Sequence, residues 1–146
     1  MSKNALSQFL IMGLLFLTSC TTYLIPVESF KQQFENIDST NLRQVEVTGP
    51  IGDFYFYLAN PIDTIKCEDK NGIAYGLINS PSIEIRFTHG LKNKKTVFYF
   101  DRVYVHDNSV IGVQSRFISA IRNTIPLDSI TKIEVQDGGK KFQYNN

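Results

Sequence analysis

From Leu42 to the end of the chain, apolar and polar residues alternate with a period of two in short segments separated by Gly, Pro, Asn and Asp. This pattern predicts antiparallel β-strands joined by turns. Val45 and Val47 alternate with Gln44, Glu46 and Thr48 before Gly49-Pro50, and Phe54, Phe56 and Leu58 alternate with Tyr55 and Tyr57 before Asn60-Pro61. Ile65 and Cys67 lead into Asp69-Lys70-Asn71-Gly72. Asn-Gly supplies the positive φ of a hairpin turn, from which Ile73, Tyr75 and Leu77 return. Ile83, Ile85 and Phe87 then alternate with Glu84, Arg86 and Thr88.

A lysine-rich turn, Lys92-Asn93-Lys94-Lys95, opens the longest strand pattern, Thr96 to His106. Val97, Tyr99, Val103 and Val105 share one face and Phe98, Phe100 and Tyr104 the other, which predicts a central strand that bends and is covered on both sides. After Asp107-Asn108-Ser109 comes a strand pattern from Val110 to Phe117, with Gly112 as a candidate bulge or kink, and then an irregular stretch over 118–123. Ile125, Leu127, Ile130, Ile133 and Val135 carry the last long strand, and Phe142 to Tyr144 a short closing one.

One segment reads as helical. Pro26 opens it, Phe30, Phe34 and Ile37 recur at i, i+4 and i+7, and Glu28 stands near the positive end of the helix dipole. The expected fold is therefore mainly β: a small antiparallel β-barrel or sandwich with one short N-terminal amphipathic helix. From Ser82 on, the order is strand, turn, long bent strand, turn, strand with glycine, then Ile-Pro-Leu-Asp-Ser-Ile bending into a last strand. This resembles small Sm-like or SH3-like barrels, a likeness of pattern over the last part of the chain. A similar Pro61-Ile62-Asp63-Thr64-Ile65 stands earlier, too short to establish a repeat.

The amino terminus is of another kind. Lys3 precedes an apolar stretch whose uninterrupted part, Phe9 to Leu17, spans nine residues, whereas a bilayer-crossing helix needs about 20. A cationic start and a short apolar run mark a secretory signal. It ends in Leu17-Thr18-Ser19-Cys20, which resembles the lipobox of bacterial lipoproteins. The resemblance implies that signal peptidase II cuts before Cys20 and that the Cys20 thiol carries a diacylglyceryl group. A signal peptide over 1–19, a lipidated tether over 20–25 and a single β-rich domain over 26–146 follow. Two or more acyl chains hold a protein stably at a membrane. Thr21, Thr22 and Tyr23 include none of the acidic residues that redirect some lipoproteins, which points to the outer membrane, facing the periplasm.

Charge and cysteine content narrow the chemistry. Lys3 is the only charged residue before Cys20, so the 15 Lys and Arg and 14 Asp and Glu of the chain leave the remainder with no net charge. Nucleic acid is not an indicated partner. Cys67 is the only other cysteine; sharing a face with Ile65, it reads as a buried, inert thiol. His89 and His106 lie at strand ends without metal-ligand spacing, and no nucleophile elbow or phosphate-cradling glycine loop occurs. No catalytic residue, metal site or cofactor is indicated beyond the covalent lipid on Cys20.

The remaining signal is aromatic density. Tyr55, Tyr57, Tyr75, Phe98, Phe100 and Tyr104 all fall on strand patterns, and either the helix bearing Phe30 and Phe34 covers them or they form an exposed binding surface. Lys92, Lys94 and Lys95, with Lys140 and Lys141 if both groups fall on one side, would add affinity for lipid phosphate or an acidic glycan. The expected function is a membrane-anchored, non-enzymatic binding or scaffold module of the cell envelope with a protein or glycan partner. The alternatives are an envelope enzyme with a dispersed site and an assembly accessory that pairs through a strand edge.

Overall fold

The structure, a computed structural model, describes residues 20–116, 118 and 120–145; the expected signal peptide lies outside them. The described chain is mainly β. In order it forms β1 (Thr22–Leu24), helix α1 (Val27–Phe34), β2 (Arg43–Thr48), β3 (Phe54–Ala59), β4 (Thr64–Glu68), β5 (Ala74–Ile78), β6 (Ile83–His89) and β7 (Lys94–Tyr99). After a 3-10 turn over Phe100–Arg102 come β8 (Tyr104–His106), β9 (Ser109–Val113) and β10 (Arg122–Pro126). A second 3-10 turn, Leu127–Ser129, leads into β11 (Ile130–Asp137), and β12 (Gln143–Tyr144) is the last described element.

These strands form three antiparallel sheets: six strands in the order β5-β4-β1-β11-β6-β7, and two of three strands, β10-β9-β8 and β12-β2-β3. The hairpin predicted at Asn71-Gly72 is present, with Ile65 opposite Leu77 and Cys67 opposite Tyr75. Gly72 sits at φ +77°, a backbone state that a β-carbon would strain.

Four expectations are corrected. The sheets do not close into a barrel: among the described residues the large sheet ends in the unpaired edges of β5 and β7, and β10 pairs with β9 alone. The tether expected over 20–25 is mostly structure: Thr22, Tyr23 and Leu24 pair with Gln136, Val135 and Glu134, and Ile25 is buried. The long strand breaks at the 3-10 turn, which shifts its phase and brings Val103 into the core beside Phe98 and Phe100. Gly112 is no bulge, since β9 and β10 pair in unbroken register through it; what requires glycine there is the Phe98 ring, which a β-carbon would overlap.

One continuous core joins the large sheet to α1. Phe30 stacks on Phe34 at 4.4 Å and meets Phe87 edge-on at 5.4 Å, while Phe34 meets Phe100 edge-on at 5.7 Å. Burying each such ring contributes roughly 1.5–3 kcal/mol. β1 reaches β4 only at Leu24 opposite Glu68, and the Gln33 side chain takes over further along. Its amide donates to Lys66 O at 2.9 Å and accepts from Lys66 N at 2.8 Å, as a neighbouring strand would.

Candidate functional site

The residues marked out by the sequence separate into four places. Phe98 and Phe100 are 1% and 0% exposed and belong to the core, not to a surface, because β6 and α1 cover them. Lys92, Lys94 and Lys95 are exposed at the β6–β7 turn, where Lys94 stands opposite His89. Lys140 instead contacts Glu84 and Tyr99 at the far end of the same hairpin, so the two lysine groups do not share a side. Tyr55 lines one cavity, and Tyr57 and Tyr104 line another.

The last two places flank a buried charged cluster that the sequence reading did not single out. The 3-10 turn carries Asp101 and Arg102 into the interior, 0% and 7% exposed. Tyr57 and Tyr144 both donate their hydroxyls to Oδ2 of Asp101, Tyr144 at 2.9 Å. Burial pushes the Asp101 carboxyl above the usual carboxylate range, against the pull of Tyr57, Arg116, Tyr144 and Arg102. Burial and the neighbouring carboxylate drive both phenols well above the ordinary tyrosine value. The Arg102 guanidinium lies 4.7 Å from the Tyr57 ring centre and donates to Ser115 O at 3.3 Å. Arg116 lies between two rings, 3.8 Å from Tyr99 and 4.4 Å from Phe142.

On one side of the cluster a groove of about 270 Å³ runs beside β3, with Phe56, Tyr57, Leu58, Tyr104, Arg102 and Arg122 on its walls. Among the described residues its lining has two arginines and no carboxylate. β3 is an edge strand, paired with β2 alone among the described residues. Its faces are the reverse of what hydropathy suggests. Phe54 and Phe56 are 63% exposed and Leu58 54%, whereas Tyr57 turns inward because Asp101 receives its hydroxyl. A charged Asp101-Arg102 pair inside an otherwise apolar strand was the available signal, since buried charges require partners on facing strands.

The histidines do not meet. His89 shares a hydrogen bond with Thr96 Oγ1 at 2.9 Å, and burial, then Lys94, lowers its pKa. His106 is exposed beside Asp107. Among the described residues no group of three His, Cys, Asp or Glu is placed to hold a metal ion. Cys67 is buried, with burial raising its thiol pKa, and Cys20 is exposed. No protein-family model, no curated protein and no solved structure matches this chain.

Proposed function

We propose that this protein is a lipid-anchored module of the bacterial envelope that acts without catalysis, holding a partner protein by accepting an extended segment beside β3. The observation that carries the reading is the edge of β3. Among the described residues it pairs with no strand on its outer side, and it carries an exposed Phe54-Phe56-Leu58 stripe and a groove whose charged walls there are Arg102 and Arg122. Soluble proteins usually blunt such an edge with charge or cover it. An added strand would bond to the free backbone groups, while apolar side chains meet Phe56 and Leu58 and acidic ones meet the arginines. Anchoring rests on Leu17-Thr18-Ser19-Cys20, and acylation of Cys20 would keep the groove at a membrane surface, the outer membrane's periplasmic face being the expected one.

The test has two arms. Cys20→Ser should move the exported protein from the membrane to the soluble fraction. A synthetic peptide alternating Val or Ile with Glu should bind the folded protein and slow amide exchange along β3. Phe56→Asp, at an exposed position, should weaken that binding at least tenfold, about 1.4 kcal/mol, without lowering the unfolding midpoint. Equal binding of a Lys-for-Glu peptide, or binding unaltered by Phe56→Asp, would remove the β3 reading.

A further inference from the structure

The second cavity, on the other side of the buried cluster, holds about 350 Å³ and is mostly apolar, with Ile51, Tyr55, Tyr99 and Phe142 among its walls and Arg116 and Lys140 as its cations. That volume lies at the small end of the range for ligand sites. Arg116 is the unusual member. Its guanidinium is stacked between Tyr99 and Phe142 and leans toward the Tyr57 hydroxyl and Asp101, while its Nε and Nη2 are shut from solvent and make no hydrogen bond of full geometry among the described residues. Those two nitrogens form the guanidinium edge whose parallel N–H bonds match the two oxygens of a carboxylate. Leaving such donors buried and unpaired is costly.

Arg102 and Arg116 share one buried carboxylate, Asp101. Asp53, the one carboxylate on the cavity lining among the described residues, accepts the Tyr55 hydroxyl on Oδ2 and keeps Oδ1 buried without a partner there. Lys140 Nζ stands 3.2 Å from the Tyr99 hydroxyl and 3.3 Å from Glu84 Oε1, beside the same opening. We infer that this cavity binds a small carboxylate with a short apolar body, an acyl or aryl acid. The carboxylate lies along the Nε–Nη2 edge of Arg116, and the body lies against Ile51, Tyr55 and Phe142. Entry requires the guanidinium to tilt toward the opening, turning its closed edge to the ligand. This inference stands independently of the β3 groove.

The probe is octanoate, with octan-1-ol and inorganic phosphate as controls, titrated calorimetrically into the folded protein from Cys20 onward. Octanoate should bind at least tenfold more tightly than octanol, because only the acid can pair with Arg116, and more tightly than phosphate, which lacks the apolar body. Arg116→Gln should abolish the preference for acid over alcohol, and Arg116→Lys should restore it only in part, since a lysine keeps the charge without the planar edge. Phe56→Asp, outside this cavity, should leave it unchanged. Unfolding midpoints of both arginine variants check that they fold. No octanoate binding up to roughly 10 mM, equal binding of octanol or phosphate, or an acid preference that survives Arg116→Gln would each overturn the inference. If Arg116→Gln lowers the midpoint yet leaves octanoate binding intact, the guanidinium serves Asp101 alone and the assignment fails.

Discussion

Replacing Tyr57 or Tyr144 by Phe removes a single oxygen, and the cost follows from what that oxygen does. Both hydroxyls donate to Oδ2 of a carboxyl group that has no solvent contact, while Oδ1 has no partner among the described residues. A hydrogen bond to a charged group contributes about 1.5–3 kcal/mol, so each single variant should lose about 2 kcal/mol. In a domain of this size that corresponds to a fall in Tm of roughly 6–10 °C. The double variant should lose more than the two singles together, because the second removal strips the carboxylate of its last phenol donor; coupling of about 0.5–3 kcal/mol is expected for partners on one acceptor. Urea unfolding followed by tyrosine fluorescence suits a chain with no Trp. In an Asp101→Asn background, Tyr57→Phe should cost only about 0.5–1.5 kcal/mol, the value for a neutral bond. Single losses below about 0.5 kcal/mol, adding without coupling, would refute the view that these phenols solvate a buried carboxylate.

Two further outcomes test other parts of the structure. A β-carbon at Gly112 would stand 2.7 Å from Phe98 Cδ1 and nearer still to Cγ, and the Phe98 ring is hemmed by Phe87 at 5.9 Å. Gly112→Ala should therefore destabilise by about 1–3 kcal/mol through overpacking, where an open strand position would gain stability from losing glycine; a raised urea midpoint would contradict this. In alkali, Tyr57 and Tyr144 bind their protons more tightly folded than unfolded. Stability should then hold below about pH 10, the unfolded tyrosine value, and decline above it as the unfolded chain releases protons first. Tyr57→Phe should flatten that decline, measured as unfolding free energy against pH.

The elements legible in the sequence are those that local chemistry sets. Period-two alternation marked the strands, and Gly72 marked the turn between β4 and β5, because both signals lie within a few residues of what they specify. Pairing between distant segments left no such trace. Nothing in Thr22-Tyr23-Leu24 announces that it will lie between β4 and β11, more than a hundred residues on for the latter, yet that insertion is what joins the β4–β5 hairpin to the rest of the large sheet. The site was partly legible for the same reason. Tyr57 and Tyr104 were marked by aromatic density and do share a groove, but the orientation of β3 depends on where the Tyr57 hydroxyl finds an acceptor. Hydropathy ranks Phe above Tyr for burial; a buried carboxylate reverses the order, since it takes the phenol and leaves Phe54 and Phe56 to solvent.

The position of β1 also bears on how an anchor at Cys20 would work. A lipid tether is usually a loose leash, but here only Thr21 separates Cys20 from the first residue of a strand held on both sides by the large sheet. Two residues of extended chain span about 7 Å, too little for the domain to turn over freely. Thr22 lies opposite Gln136, from which 137–142 lead to Gln143, opposite Thr48 at the β2–β3 end of the fold. Acylation at Cys20 would hold the Thr22–Gln136 end of the large sheet close to the headgroups. With an anchor there, a partner of the β3 edge would meet the domain within a short reach of the membrane.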